Sequence, residues 1–238
     1  MRTWGIGLAA VLSACGGATS RAGATQTKDS TAADAGVTAA APAPAAAAAA
    51  RGAHTVLFVG TSLTAGLGLD PDSAYPALIQ RKIDSAGLPF RVVNAGVSGE
   101  TSAGALRRMD WLLRQPFDVM VLETGANDGL RGTPVSETRR NIQAIIDTVR
   151  RHRPNTRIVL VQMEALPNFG QRYTQAFHQT YPLLARENGV VLLPFLLDGV
   201  AGRAGLNQGD GVHPNNEGER IVAENVWRGL EGVLKQVR

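Results

Sequence analysis

From His54 onward, five short apolar runs alternate with longer segments of helical periodicity, and this alternation constrains the fold more than any other feature. The runs are Thr55–Val59, ending at Gly60, Phe90–Val93, Asp118–Leu122, Arg157–Gln162 and Val190–Leu193. Each is short and rich in β-branched or large apolar residues, which reads as a strand. The helical segments are Ser73–Ala86, a stretch through Ala105 to Leu113, Val135–Arg151, Gln171–Glu187 and Glu217–Val237. In the third, Ile142, Ile145, Ile146 and Val149 share one face, and His152-Arg153-Pro154 ends it. Ser73 is the expected cap of the first helix. Near-continuous apolar strands separated by helices imply a mostly parallel sheet covered on both faces, hence one α/β domain. In such folds reactive groups gather in the loops beyond the carboxyl ends of the strands.

The first fifty residues obey a different rule. Met1-Arg2-Thr3 is a minimal basic start, an apolar run follows from Trp4 to Leu12, and Leu12-Ser13-Ala14-Cys15 comes next. This is the layout of a secretory signal, with an apolar run too short to span a bilayer. Leu12-Ser13-Ala14-Cys15 resembles the lipobox of bacterial lipoproteins, which implies that Cys15 is the lipid attachment residue. The chain is then expected to be exported and anchored to a membrane through lipidated Cys15, facing the periplasm or the cell exterior; an ordinary cleaved signal is the alternative. Several acyl chains on one Cys give stable anchoring. Residues 16–52 are Ala-, Gly-, Thr-, Ser- and Pro-rich, with no large apolar residue beyond Val37, and read as a disordered tether. Residues 1–15 are thus the signal, 16–52 the tether and 53–238 the folded domain.

Composition sets limits on the chemistry. A single Cys excludes an intramolecular disulfide framework and a zinc ribbon. No His/Cys/Asp cluster has metal-ligand spacing, so neither a metal nor an organic cofactor is expected. Lys and Arg outnumber Asp and Glu by 24 to 20, but export argues against nucleic acid as the partner. Arg107-Arg108, Arg139-Arg140 and Arg150-Arg151-His152-Arg153 fall on predicted helices, where solvated faces are the ordinary role. Attraction to anionic lipid surfaces is the functional alternative.

Of the four His residues, His54 precedes the first strand, His152 ends an Arg-rich helix and His178 lies within a helix. His213 stands in the polar loop Gly209-Asp210-Gly211-Val212-His213-Pro214-Asn215, three residues after Asp210. If the protein uses a His base, it is His213. In a turn, that spacing can set a carboxylate against the imidazole; a capped turn before the last helix is the plainer role. Ser62 follows the first strand directly, in Gly60-Thr61-Ser62-Leu63, beside a helix start whose N–H groups favour a developing anion. It also fits an N-cap, and it lacks the G-x-S-x-G elbow. The loops after the second and third strands, Asn94–Thr101 and Glu123–Gly129, reach the same crevice. The Ser62 and Gly99 backbone N–H groups and the Asn127 amide would supply three donors for an oxyanion, with Gly99 allowing close backbone approach.

Gly60-Thr61-Ser62-Leu63, Gly99, Gly125-Ala126-Asn127-Asp128 and Asp210-Gly211-Val212-His213-Pro214 resemble, in order, the four blocks of the SGNH (GDSL-type) hydrolases. Glu123 to Gly132, Tyr173 to Phe177 and Leu192 to Phe195 resemble the exported thioesterase, lysophospholipase and arylesterase branch. The resemblance implies a flavodoxin-like three-layer α/β/α sandwich with a five-stranded, mostly parallel sheet. It also implies Ser62 as nucleophile, His213 as base, Asp210 as its orienter, and Ser62, Gly99 and Asn127 as the oxyanion hole. The chain is then a serine esterase acting on carboxylic esters or thioesters of small-molecule or lipid substrates, as a monomer. An O-acetyl esterase acting on a glycan, and a non-catalytic lipid- or glycan-binding lipoprotein, are the other readings. Two positions depart from the family pattern: Thr61 stands where Asp is usual, and Ala126 where Gly is usual.

Overall fold

The computed structural model describes residues 54–237; the signal, the tether and Cys15 lie outside the described residues. Five strands form one sheet: β1 (His54–Gly60), β2 (Phe90–Gly96), β3 (Val119–Leu122), β4 (Arg157–Gln162) and β5 (Val191–Phe195). All four pairings are parallel, in the order β2-β1-β3-β4-β5. This is the doubly wound, flavodoxin-like order, in which the chain moves outward from β1 in one direction and then in the other. The helices are α1 (Ser62–Ala65), α2 (Tyr75–Ser85), α3 (Ser102–Arg107), α4 (Met109–Leu112), α5 (Ala126–Arg131), α6 (Val135–His152), α7 (Gln171–Asn188) and α8 (Asn216–Leu234). Helix α2 packs on α8, while α6 packs on α3 and α7. Right-handed crossovers put these two groups on opposite faces of the sheet, giving three layers.

Burial follows position in the sheet. Val119, Met120, Val121 and Leu122 of β3 are fully buried, as are Val56, Phe58 and Val59 of β1 and Val159, Leu160 and Val161 of β4. Those central strands are covered on both faces, so they read as continuous apolar runs. Edge strands β2 and β5 are mixed, and β5 accommodates Pro194, a residue that an interior strand would reject. Pro182 inside α7 has no N–H for the His178 carbonyl; Gln162 Nε2, at the end of β4, donates to that carbonyl instead at 3.1 Å.

Two helices differ from the sequence expectation. The segment expected as one helix through Leu113 forms α3 and α4, broken at Arg108 (φ −95°, ψ 1°). There the Arg108 guanidinium donates to both Glu100 oxygens, at 2.7 and 2.6 Å. Nor does Ser73 cap α2. It closes a 3₁₀ turn, Pro71–Ser73, whose own cap is Asp70. The first N–H of α2, that of Tyr75, donates to Glu219 Oε2 on α8 at 2.7 Å. A carboxylate 144 positions away in the chain takes the place of a local cap.

Glu219 is buried, and burial pushes its carboxyl up to about 8, with the Tyr75 N–H opposing the shift in part. Its folded-state pKa is therefore raised above the unfolded value, so it favours folding below about pH 4.5 and loses that contribution as pH rises through about 8. Glu219→Gln keeps the acceptor and removes the titration. Between pH 5 and pH 9 the wild-type protein should lose roughly 2–4 kcal/mol more stability than this variant. Urea denaturation at the two pH values measures the difference, and parallel profiles would refute it.

Candidate active site

Strand β1 ends at Gly60, and Thr61 caps α1 by accepting the Leu63 N–H on Oγ1. Immediately behind this turn lies Glu123, the first residue after β3, with no exposure. Its Oε2 accepts the Thr61 N–H at 2.7 Å, the Thr61 hydroxyl at 2.9 Å and the Thr64 hydroxyl at 2.9 Å. Since the Thr64 proton goes to Glu123, Tyr75 Oη donates to Thr64 Oγ1, at 2.8 Å. Burial raises the Glu123 pKa, and the hydrogen bonds from Thr61 and Thr64 pull it back. Gly60 makes the approach possible: a Cβ there would sit 2.0 Å from Thr64 Oγ1 and 2.7 Å from Glu123 Oε2. The turn thereby presents Ser62, largely buried, at the carboxyl end of a central strand.

The third wall is the loop between Leu206 and α8. Asp210 Oδ1 accepts the backbone N–H groups of Val212 (2.9 Å) and His213 (3.0 Å). Those two N–H bonds, then the His213 side chain, hold the Asp210 carboxyl well below the usual carboxylate range. Its other oxygen meets His213 Nδ1 at 2.6 Å, and His213 Nε2 meets Ser62 Oγ at 2.8 Å. An ionised carboxylate only accepts, so Nδ1 carries the proton and the Nε2 lone pair faces the Ser62 hydroxyl. Gln208 ties this loop to the Ser62 turn, its Nε2 donating to the Leu67 carbonyl (2.7 Å) and the Pro214 carbonyl (2.9 Å). In this line the imidazole can take up the hydroxyl proton as the oxygen attacks an acyl carbon.

Gly99 adopts φ +76°, a conformation that favours glycine, and its absent Cβ would have met no protein atom. The backbone conformation accounts for glycine here, not crowding within the protein. Its N–H has no acceptor among the described residues, while its carbonyl accepts Arg131 Nη2 at 3.0 Å. Asn127 Nδ2 donates to the Glu100 carbonyl at 3.0 Å, which brings the loops after β2 and β3 together. Asp128 ties them again, accepting the Ser102 N–H at 2.8 Å and the Ser102 hydroxyl at 2.5 Å. Ser62 is the first residue of α1, so its N–H has no partner within the helix. Ala126 opens α5 in helical backbone, which alanine adopts without strain.

The other histidines are committed elsewhere: His54 to Asp118 (3.0 Å), His152 to the Thr148 carbonyl (2.9 Å) and His178 to Glu164 (2.6 Å). Among the described residues, no group of three or more His, Cys, Asp or Glu is arranged to hold a metal ion. Leu196 is fully buried in the core, whereas Phe169 is exposed and packs over Gly132. Sequence reasoning missed Glu123, Asp128 and Glu219. A carboxylate placed directly after a run of four apolar strand residues was the available signal for Glu123. Glu123→Ala leaves one N–H and two hydroxyls without their acceptor, at a cost of about 2–4 kcal/mol. Thermal denaturation of the variant should show it; an unchanged melting temperature would contradict the structural role of this carboxylate.

Comparison with known proteins identifies the family. The profile of the GDSL-like Lipase/Acylhydrolase family matches residues 58–221. The chain is 38% identical over 183 residues to esterase TesA of Pseudomonas aeruginosa, covering 76% of this chain and 90% of the relative. It is 39% identical over 186 residues to thioesterase 1/protease 1/lysophospholipase L1 of Escherichia coli, covering 78% and 87%. The crystal structure of the psychrotrophic esterase EstA from Pseudoalteromonas sp., inhibited by monoethylphosphonate, superposes with a TM-score of 0.72 at 32% identity. That match covers 77% of this chain and all of the other. The chain belongs to the GDSL-like lipase/acylhydrolase family and is an ester-hydrolysing serine hydrolase of the SGNH type.

Proposed function

We propose that Ser62 is the nucleophile of this hydrolase, His213 its general base and Asp210 the group that orients and stabilises the imidazolium. The observation that carries the reading is the unbroken line from Asp210 to His213 (2.6 Å) to Ser62 (2.8 Å). Ser62 Oγ attacks the acyl carbon as Nε2 takes its proton. The imidazolium then protonates the departing alkoxide or thiolate. Water, deprotonated by the same nitrogen, releases the acid and restores Ser62. The Ser62 and Gly99 N–H groups and the Asn127 amide receive the oxyanion, and each such donor contributes roughly 10²–10³ in kcat.

Thr61 caps the Ser62 turn and donates to Glu123, which gives it a supporting role beside an intact line of groups. The substrates we propose are acyl esters and thioesters, in keeping with the names of the relatives. Exposed Leu130, Leu166 and Phe169 lie where α5 meets the loop after β4 and offer an apolar surface for the acyl chain. Replacing Ser62 by Ala should lower p-nitrophenyl ester hydrolysis by at least about 10³-fold, abolish labelling by a fluorophosphonate, and leave the melting temperature unchanged. Retained turnover would sink the assignment.

We further propose that Cys15 carries the lipid anchor and that residues 16–52 tether the domain to the membrane from its exported side. The reading is supported by the lipobox-like Leu12-Ser13-Ala14-Cys15 and by the chain's having no other Cys. No described helix is long and apolar enough to cross a membrane. In a bacterial host, the full chain should fractionate with membranes and incorporate labelled palmitate, and Cys15→Ser should do neither. A wild-type chain found only in the soluble fraction would refute the anchor.

A further inference from the structure

Beside the oxyanion loop lies a cavity of about 400 Å³ whose wall includes Gly99, Glu100, Arg107, Arg108 and Arg131. Three guanidinium groups share it with one carboxylate. Arg108 and Glu100 cancel each other through two hydrogen bonds, at 2.7 and 2.6 Å, and both side chains are mostly buried, so that pair is part of the wall. Arg131 donates to the Gly99 carbonyl, which orients the group and leaves its charge uncompensated. Arg107, on the last turn of α3, is exposed and has no carboxylate or hydrogen-bond partner among the described residues. Two cationic groups are thus left facing a pocket that shares Gly99 with the proposed oxyanion hole. Exposed Leu130, Leu166 and Phe169 are absent from its wall, so an acyl chain has its surface elsewhere.

We propose that this cavity is an anion subsite which selects esters carrying a carboxylate or phosphate, with Arg107 as the specificity-determining residue and Arg131 as its partner. The proposal rests on the catalytic reading of Ser62 and deepens it by naming the charge of the substrate. Planar guanidinium groups suit bidentate contact with such oxyanions. Arg107 and Arg131 are both exposed, and a pocket open to solvent holds two positive charges at less cost than an enclosed one.

The test compares substrates that differ only in charge. Four-acetoxybenzoate and its uncharged methyl ester place the anion on the leaving group; the 4-nitrophenyl monoester of succinate and the 4-nitrophenyl ester of methyl succinate place it on the acyl side. The quantity read is the anionic-to-neutral ratio of kcat/KM within each pair, so any uniform loss cancels. Arg107→Gln should lower that ratio about five- to tenfold in at least one pair, and Arg107→Glu should lower it further. Raising salt to 0.5 M should lower it in the wild-type protein and lower it less in Arg107→Gln, where Arg131 alone remains. Ratios unchanged by both substitutions in both pairs would overturn the subsite. Failure of the wild-type protein to hydrolyse the neutral esters would instead overturn the catalytic reading.

Discussion

Glu123 accepts three hydrogen bonds from the Ser62 turn in a place with no access to water, and the geometry of the site hangs on that contact. A lone carboxylate there would be costly to ionise; donors from Thr61 and Thr64, with Tyr75 behind them, make it tolerable. The contact exists because β1 and β3 are neighbours in the sheet, so the residues that follow them meet. It also needs Gly60, where any side chain would occupy the space of the Thr64 hydroxyl. Thr61 suits this arrangement for an electrostatic reason. Its hydroxyl donates to Glu123, whereas a carboxylate in the same place would meet a second one and favour a proton shared between them.

Three carboxylates show how one side chain serves opposite ends. Asp210 is exposed and gathers backbone N–H groups, so it stays ionised and holds the His213 tautomer. Glu123 is buried but well supplied with donors, and it anchors a turn. Glu219 is buried with a single backbone donor, and its carboxyl is raised far into the neutral range while it caps α2 from another helix. The number of donors aimed at each carboxylate, set against its burial, decides which role it plays.

The sheet order explains why distant loops converge. Because the chain leaves β1 in one direction and returns to its other side as β3, the loops after β1, β2 and β3 open onto one crevice. Ser62 and His213 are 151 positions apart and 2.8 Å apart in space. Gln208 fastens their two loops, and Asp128 fastens the loops after β2 and β3. The comparisons with known esterases place the chain in a family, while the Arg107 cavity beside the shared machinery is read from this chain's own residues.

Much of this was legible in the sequence. Apolar runs near residues 55, 90, 118, 157 and 190 announced the parallel sheet, because burial on both faces leaves a local compositional record. His213 stood out among four histidines because turn residues and a nearby Asp surround it in the chain. The signal, the tether and Cys15 rest wholly on sequence. What the tertiary structure decided was the pairing of groups far apart in the chain: Glu219 with Tyr75 in place of a Ser73 cap, and Glu123 with Thr61. Periodicity records which face of an element is buried, since that depends on neighbours three or four residues away. It carries no record of which distant donor a buried carboxylate will meet, because that is set only once the strands have taken their places in the sheet.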